Sequence, residues 1–349
     1  MTIKACVLHK QNDLRIDEVA LADLGANDVL VAMTHGGICG SDMHYYQDGG
    51  FGPVRVTDPI ILGHEVSGIV EAVGAEVGNL IIGDRVAVSP SQPCFECDYC
   101  QRNEFQHCAK MRFMGSARTI PHVQGGFRTK MVTGKGQCFK VNNATSLANA
   151  ACSEPLAVCL HAAAQTGPLA GKAVLVTGAG PIGSLCAAVA KLQGAQSVVV
   201  TDLFDFTLNV AVKMGATKTI NIGAQPEGIA EHIAEHGPFD IVFECSAAEP
   251  AILSAIIAVR PRGTIVQVGV TGSISLPINA IVGKEINFRG THRFHPEFEQ
   301  AVGLIDRGVI DVTPIITQTY PMKDAVEAFR TAKNREKAVK VQLKLDSVS

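Results

Sequence analysis

The sequence predicts an α/β protein in which a β-rich domain accompanies a doubly wound parallel sheet. Two observations carry this. Up to about residue 150, short valine-rich runs are cut by glycine, as in DVLVAMTHGG, GHEVSGIVEAVG and GDRVAVSP. From about residue 172, strand-like and helix-like segments alternate instead. A length of 349 residues suits two domains of roughly 150 residues each, and 47% hydrophobic residues supply two cores.

The first region reads as strands because its apolar runs are short, β-branched and bounded by turn residues. In the second, KAVLVTG is a strand and PIGSLCAAVAKLQGA a helix. SVVVTD, KTINI, DIVFECSA and GTIVQVG are further strands. FTLNVAVKMGA, EGIAEHIAEHG and PAILSAIIAVR are the helices between them. Toward the end come INFRG, the helices HPEFEQAVGLIDRG and MKDAVEAFRTAK, and a closing strand, AVKVQLKL, expected to rejoin the β domain. The domains are therefore placed at 1–152 with 292–349, and at 153–291.

Between the strand KAVLVTG and the helix after it lie Gly178, Gly180 and Gly183, spaced G-x-G-x-x-G around Pro181 and Ile182. The pattern is weak alone, but strand before and helix after are the context that marks a dinucleotide-binding Rossmann unit. The first glycine permits the turn, the second lets a pyrophosphate reach the backbone, and the third allows close helix–strand packing. Asp202 ends the next strand, where ribose hydroxyls are expected. A carboxylate there favours NAD over NADP, and no arginine or lysine follows before Lys213.

The run PCFECDYCQRNEFQHC holds Cys94, Cys97, Cys100 and Cys108, four of the 11 cysteines. Unpaired thiols are the plain alternative, but this density suits one tetrahedral zinc ion with no open position. Such a site is a staple for a lobe with little regular structure. A second set is spread along the chain: Cys39, Ser41 and His44 in HGGICGSDMHYY, His64 and Glu65 in ILGHEVSG, and Glu154 in ACSEPLAVCLHAA. Taken singly, Cys39 reads as core, Glu65 as a surface charge and His64 as packing. Taken together, Cys, His and Glu suit zinc with a position open for water or substrate. Of the other cysteines, Cys6, Cys138, Cys152, Cys159, Cys186 and Cys245 read as interior. His161 is expected to pack in the interdomain helix, and His232 and His236 to form a solvent-facing pair.

These motifs resemble the zinc-dependent medium-chain alcohol dehydrogenases over essentially the whole chain, and within them the polyol dehydrogenase branch. The resemblance implies a GroES-like β domain with two zinc ions per subunit and a Rossmann domain carrying NAD. It implies Cys39 and His64 as catalytic zinc ligands, with Glu65 and Glu154 as the carboxylates that complete or exchange in the coordination sphere. Ser41 is implied to take the substrate proton and His44 to relay it outward, and Cys94, Cys97, Cys100 and Cys108 to hold a structural zinc. A homotetramer or homodimer is also implied. One departure is Thr207, where polyol dehydrogenases often carry an arginine; its absence argues further against NADP.

MRFMGSARTIPHVQGGF, residues 111–127, and GKEINFRGTHRFHPEF most resemble the branch that acts on sugar acids. That implies L-idonate as substrate and 5-keto-D-gluconate as product. An aldonate needs a cation for its carboxylate, and guanidinium suits one. Arg112 and Arg293 are the expected contacts, with Arg118, His122, His292 and His295 also available, and at least one of Tyr45 and Tyr46 lining the pocket. The rival readings are a sorbitol- or xylitol-type polyol dehydrogenase and, from another class, a non-enzymatic nucleotide-binding regulator. The intact set of Cys39, Ser41, His44, His64 and Glu154 speaks against the regulator. A net charge of −3 without a basic block excludes a nucleic-acid footprint. No apolar run reaches the roughly 18 residues of a membrane span, and the charged N-terminus is unlike a secretory signal. A cytoplasmic protein is expected.

Overall fold

The computed structural model describes residues 1–346; the last three residues of the expected 292–349 segment lie outside them. In the β-rich part, the strand Thr2–Lys10 pairs antiparallel with Asp13–Ala20 and Ile60–Ile61. A larger sheet runs Cys138–Val141, Arg85–Val88, Glu65–Val73, Asp28–Gly37, Lys340–Lys344, Ile316–Pro321, and Lys130–Gly134 also pairs with Asp28–Gly37. Alternation drives this: Val29, Val31 and Met33 face the core while the residues between them stay half-exposed. Leu8, Leu62, Phe127 and Phe329 join them in one apolar cluster.

The closing strand rejoins this sheet as expected, pairing Gln342 with Gly37. That return carries Lys340 from the far end of the chain to the start of the Glu65–Val73 strand. Glu65 pairs with Gly37 across the ladder. A β-carbon on Gly37 would stand 2.0 Å from the Glu65 Oε2 atom, so glycine is required for the carboxylate to lie across it.

The second sheet is wholly parallel, in the order Lys218–Asn221, Ser197–Asp202, Ala173–Thr177, Phe239–Glu244, Val259–Gln267, Asn287–Gly290. This is the doubly wound arrangement the sequence predicts. The order in which the chain adds strands reverses between Ala173–Thr177 and Phe239–Glu244, where such sheets bind ligands. The helices Ser153–Ala164 and Glu297–Asp306 pack on each other, and His161 Nδ1 lies 2.8 Å from Glu297 Oε1 across that seam.

Four local features differ from expectation. The segment Gly40–Asp48 is a helix that the sequence reading leaves unassigned. It is short and only weakly amphipathic, but Asp42, Tyr45 and Tyr46 fall on one buried face. Cys245 is half-buried rather than interior, because it stands just past the end of the Phe239–Glu244 strand at the point of reversal. His232 is buried and stacks on Phe239 at 5.2 Å, whereas His236 is exposed. One helical turn places both rings together, but the face carrying position 232 packs on the sheet. Thr207 is fully buried, its hydroxyl donating to the Phe204 carbonyl at 2.8 Å, so this side chain faces inward and not toward a ligand. Among the described residues no helix is long and apolar enough to cross a membrane.

Candidate active site and metal centres

The four-cysteine lobe is built from sequence neighbours. Cys97 precedes a single helical turn, Asp98–Gln101, and Cys108 follows a 3₁₀ turn, Phe105–His107. The Sγ–Sγ separations are 3.5 Å for Cys94–Cys108, 3.6 Å for Cys97–Cys100, 3.9 Å for Cys97–Cys108 and 4.0 Å for Cys94–Cys100. Thiolates about 2.3 Å from one zinc ion would stand about 3.8 Å apart in a regular tetrahedron. The lobe therefore fits that ion. Backbone N–H groups of Cys100 and Ala109 pull the Cys97 thiol down to about 6, which favours the ligating form.

The second centre is assembled from distant segments. Cys39 ends the loop before the Gly40–Asp48 helix, and His64 and Glu65 open the Glu65–Val73 strand. One ligand atom from each of the three lies within 4.8 Å of the others. Glu65 is 1% exposed; its Oε1 accepts a hydrogen bond from Lys340 Nζ at 2.7 Å, and its Oε2 has no partner. A buried, orphaned carboxylate oxygen beside a thiol and an imidazole is the donor set a zinc ion would satisfy. Glu154 lies outside this trio but is buried beside it. Burial pushes its carboxyl up to about 7, with His64 opposing and Glu65 adding to the rise. The structure thus gathers three of the four implied ligands and keeps the fourth close.

Three further residues govern this centre. Asp42 is fully buried; it accepts from the Cys39 amide at 3.0 Å through Oδ2 and from the Gly63 amide at 3.2 Å through Oδ1. Its Oδ1 also lies 3.8 Å from His64 Nδ1. Burial disfavours a charged His64, but Asp42 and Cys39 outweigh it and hold the imidazole well above its ordinary range. Lys340, 2% exposed, donates to Glu65 and to the Ile38 carbonyl at 3.1 Å. Arg335 faces the same cleft from the loop after the Ala325–Lys333 helix. Asp42 is not singled out by the sequence reading, although it stands next to Ser41 in the GSD run. Lys340 left no local signal, because its partner is 275 residues away in sequence.

A cleft of about 320 Å³ joins this centre to the second sheet. Cys39 and Glu65 line one side, and Gly178, Gly180, Pro181, Ile182, Gly183 and Asp202 line the other. Gly178 has φ +88°, and a β-carbon on Gly183 would come within 1.8 Å of the Gly178 carbonyl oxygen. Nothing lies within 4 Å of the same position on Gly180, which leaves the room a pyrophosphate needs. Asp202 anchors the turn by accepting from the amides of Ala179 and Leu203, each at 2.7 Å.

The remaining expected residues separate into two groups. Ser41 is half-buried on the first turn of its helix, and His44, one turn on, is exposed with Nδ1 3.0 Å from Asp48 Oδ2. Arg293 lies with its guanidinium carbon 4.1 Å above the Phe113 ring, and that ring is 5.7 Å from His64. Tyr45 is buried near Arg293, its hydroxyl accepting from the Ala117 amide at 3.1 Å, whereas Tyr46 packs on Phe329 in the core.

Arg112, by contrast, does not join the cleft. It neighbours Phe113 on a short strand, so the two side chains point to opposite faces, and Arg112 lines a separate cavity with His122 and Arg128. His122 is spent on structure, donating from Nδ1 to the Thr119 carbonyl at 2.8 Å and accepting from the Thr57 amide at 3.0 Å. His295 packs on Phe105 of the cysteine lobe at 4.6 Å.

Comparison with known proteins agrees with this construction. Residues 25–143 match the alcohol dehydrogenase GroES-like domain model, and residues 181–307 the zinc-binding dehydrogenase model. The chain is 39% identical to L-idonate 5-dehydrogenase (NAD(P)(+)) of Escherichia coli K12 over 97% of its length and 98% of that protein's. It is 35% identical to sorbitol dehydrogenase of Gallus gallus, over 98% of its length and 96% of the relative's. The crystal structure of L-idonate 5-dehydrogenase from Escherichia coli K-12 superposes with a TM-score of 0.94 at 38% identity, covering 99% of this chain and 98% of that one. With both domain models matched in order and relatives aligned end to end, the chain belongs to the zinc-binding, medium-chain alcohol dehydrogenase family.

Proposed function

We propose that this protein is a zinc-dependent, NAD-linked dehydrogenase that oxidises a secondary alcohol of a sugar acid, taking L-idonate to 5-keto-D-gluconate. The observation that carries the reading is the single cleft that presents Cys39 and Glu65 opposite the Gly178–Gly183 turn. Two of the metal-type trio and the dinucleotide-type turn share one cavity, as a hydride-transfer enzyme requires. The sugar acid is supported by the Escherichia coli relative, whose name specifies L-idonate.

In this reading residues 153–291 bind the dinucleotide, while 1–152 and 292–349 carry both metals. When bound, zinc supplies Lewis acidity toward the alcohol and the dinucleotide a two-electron acceptor. The chain does the rest. Cys39, His64, Glu65 and Glu154 would hold the metal, and Asp42 ties the Cys39 and Gly63 backbone together and sets a carboxylate 3.8 Å from His64 Nδ1. Lys340 offsets the buried charge of Glu65 and so sets how freely that carboxylate swings. Ser41 accepts the alcohol proton and exposed His44 passes it to solvent. Arg335 and the N-terminal turn of the Pro181–Leu192 helix face the pyrophosphate, and Asp202 the adenosine ribose. The Asp202 carboxylate opposes a 2′-phosphate, which makes NAD the preferred cofactor, although the Escherichia coli relative's name admits both. The enzyme works as a cytoplasmic homodimer or homotetramer.

The test is reduced-cofactor formation by zinc-replete protein with L-idonate and with sorbitol, each with NAD⁺ and with NADP⁺. The expected result is a kcat/KM highest for L-idonate with NAD⁺. Preference for sorbitol would favour the second reading, a polyol dehydrogenase, which the Gallus gallus relative supports. No turnover with any of the four pairs would overturn the proposal.

A further inference from the structure

Two guanidinium groups, those of Arg293 and Arg118, stand close enough to repel each other on the Phe113 side of the metal trio, and among the described residues neither is ion-paired, although Glu154 partly offsets the charge of Arg293. Arg293 lies over Phe113, and the same ring reaches His64 of the metal trio. Arg293 is half-buried in a left-handed backbone conformation, φ +54°. Arg118 comes from the turn at 116–123, which the Ser116–Val123 bridge closes and the Ala117–Tyr45 hydrogen bond pins to the buried face of the Gly40–Asp48 helix. Its own amide donates to Ser116 Oγ at 3.3 Å, and its side chain is exposed. Burial first, and the Arg118 charge second, push the Arg293 guanidinium down to about 10. His292, beside Arg293, is held low by burial and then by Arg293, His107 and Arg118. Among the described residues neither arginine forms an ion pair. Like charges held together in a partly desolvated place are unfavourable unless an anion joins them.

We propose that Arg118 and Arg293 form a two-armed clamp for the substrate carboxylate, and that Arg118 is the residue that selects a sugar acid over a neutral polyol. The clamp rests on the sugar-acid reading above. Its position suits that substrate. The C1 carboxylate of L-idonate lies four carbon–carbon bonds from C5, and one aromatic ring, Phe113, separates Arg293 from His64. A substrate with C5 at the metal centre extends along that ring toward the two guanidiniums. Arg293 then closes on the carboxylate from the wall, and Arg118 from the mouth. A neutral polyol gains nothing from Arg118 and leaves the cationic pair uncompensated.

Initial rates of the zinc-replete holoenzyme, its Arg118→Ala variant and its Arg118→Lys variant test this with L-idonate and sorbitol. For Arg118→Ala the KM for L-idonate should rise by about ten- to a hundred-fold, the loss of one charge-assisted contact, and by more than kcat falls. The L-idonate to sorbitol ratio of kcat/KM should drop by a similar factor, and Arg118→Lys should recover part of it. Added salt should raise the wild-type KM for L-idonate more steeply than that of Arg118→Ala. If the wild type prefers L-idonate and Arg118→Ala leaves its KM unchanged, the clamp is wrong and the sugar-acid reading stands. If the wild type prefers sorbitol, both fall.

Discussion

The two candidate metal centres of this chain are made in opposite ways. The cysteine lobe takes four ligands from one stretch of chain, Cys94 to Cys108, and folds them with single turns of helix. The candidate centre at Cys39, His64 and Glu65 takes its donor groups from two strand ends, and its supports from Asp42 on a helix and Lys340 on the last strand. The lobe is closed: its thiols face one another and little else. The other centre opens onto the cleft that holds the glycine turn. A local, closed site suits stability, and a non-local, open one suits chemistry, because opening it costs protein contacts that only a folded scaffold can replace.

The largest effect should come from breaking the open centre. Replacing Cys39 with alanine removes the one thiol of the trio. Turnover should fall by about 10³-fold or more, the several kcal/mol of charge stabilisation that a metal ion contributes. Metal analysis should then find the lobe's ion and lose the other, with the unfolding temperature little changed. A variant that keeps wild-type turnover would show that the cleft trio is not the catalytic centre.

Breaking the closed centre should do the reverse. Cys97→Ser leaves three thiols and a weak ligand, so the lobe's ion should be lost first on chelation. The unfolding temperature should fall by on the order of 10 °C, since metal-binding energy in such a lobe is folding energy. Turnover at 25 °C should fall far less than in Cys39→Ala. Scanning calorimetry with metal content measured on the same sample checks this, and an unchanged transition would mean that the lobe is not a staple.

The same contrast explains what the sequence shows. The lobe is legible because its ligands are neighbours, and the parallel sheet because each strand and helix carries its own period and punctuation. Gly178, Gly180 and Gly183 are legible because one turn needs all three. The open centre is legible only as fragments: Cys39, His64 and Glu154 are single residues whose meaning comes from one another. Lys340 and Arg335 belong to it through the return of the final strand, which no local pattern announces. Arg112 was expected at the cleft ahead of Arg118, and the structure turns it away for a smaller reason. Both sit in one short segment, and only the two-residue strand Arg112–Phe113 decides that Phe113 turns toward His64 and Arg112 away.

The finest test of the comparison is Asp42, which the open centre has and the lobe lacks. Its two oxygens accept separately, one from Cys39 and one from Gly63, so it ties together the segments bearing two of the ligands. Burial pushes its carboxyl up, while His64 and the amides of Cys39 and Gly63 oppose that rise. Asp42→Asn keeps the shape but turns one acceptor into a donor that faces a backbone N–H, and removes the charge 3.8 Å from His64. Metal affinity at the open centre, or turnover, should fall by about ten- to a hundred-fold, the usual cost of losing a group that supports the ligands of a metal site. Competition with a chelator measures the affinity, and the lobe's ion, which has no such support, serves as the internal reference. Equal weakening of both ions would mean that Asp42→Asn disturbs the domain at large, and no weakening of either would mean that Asp42 merely fills space beneath the loop.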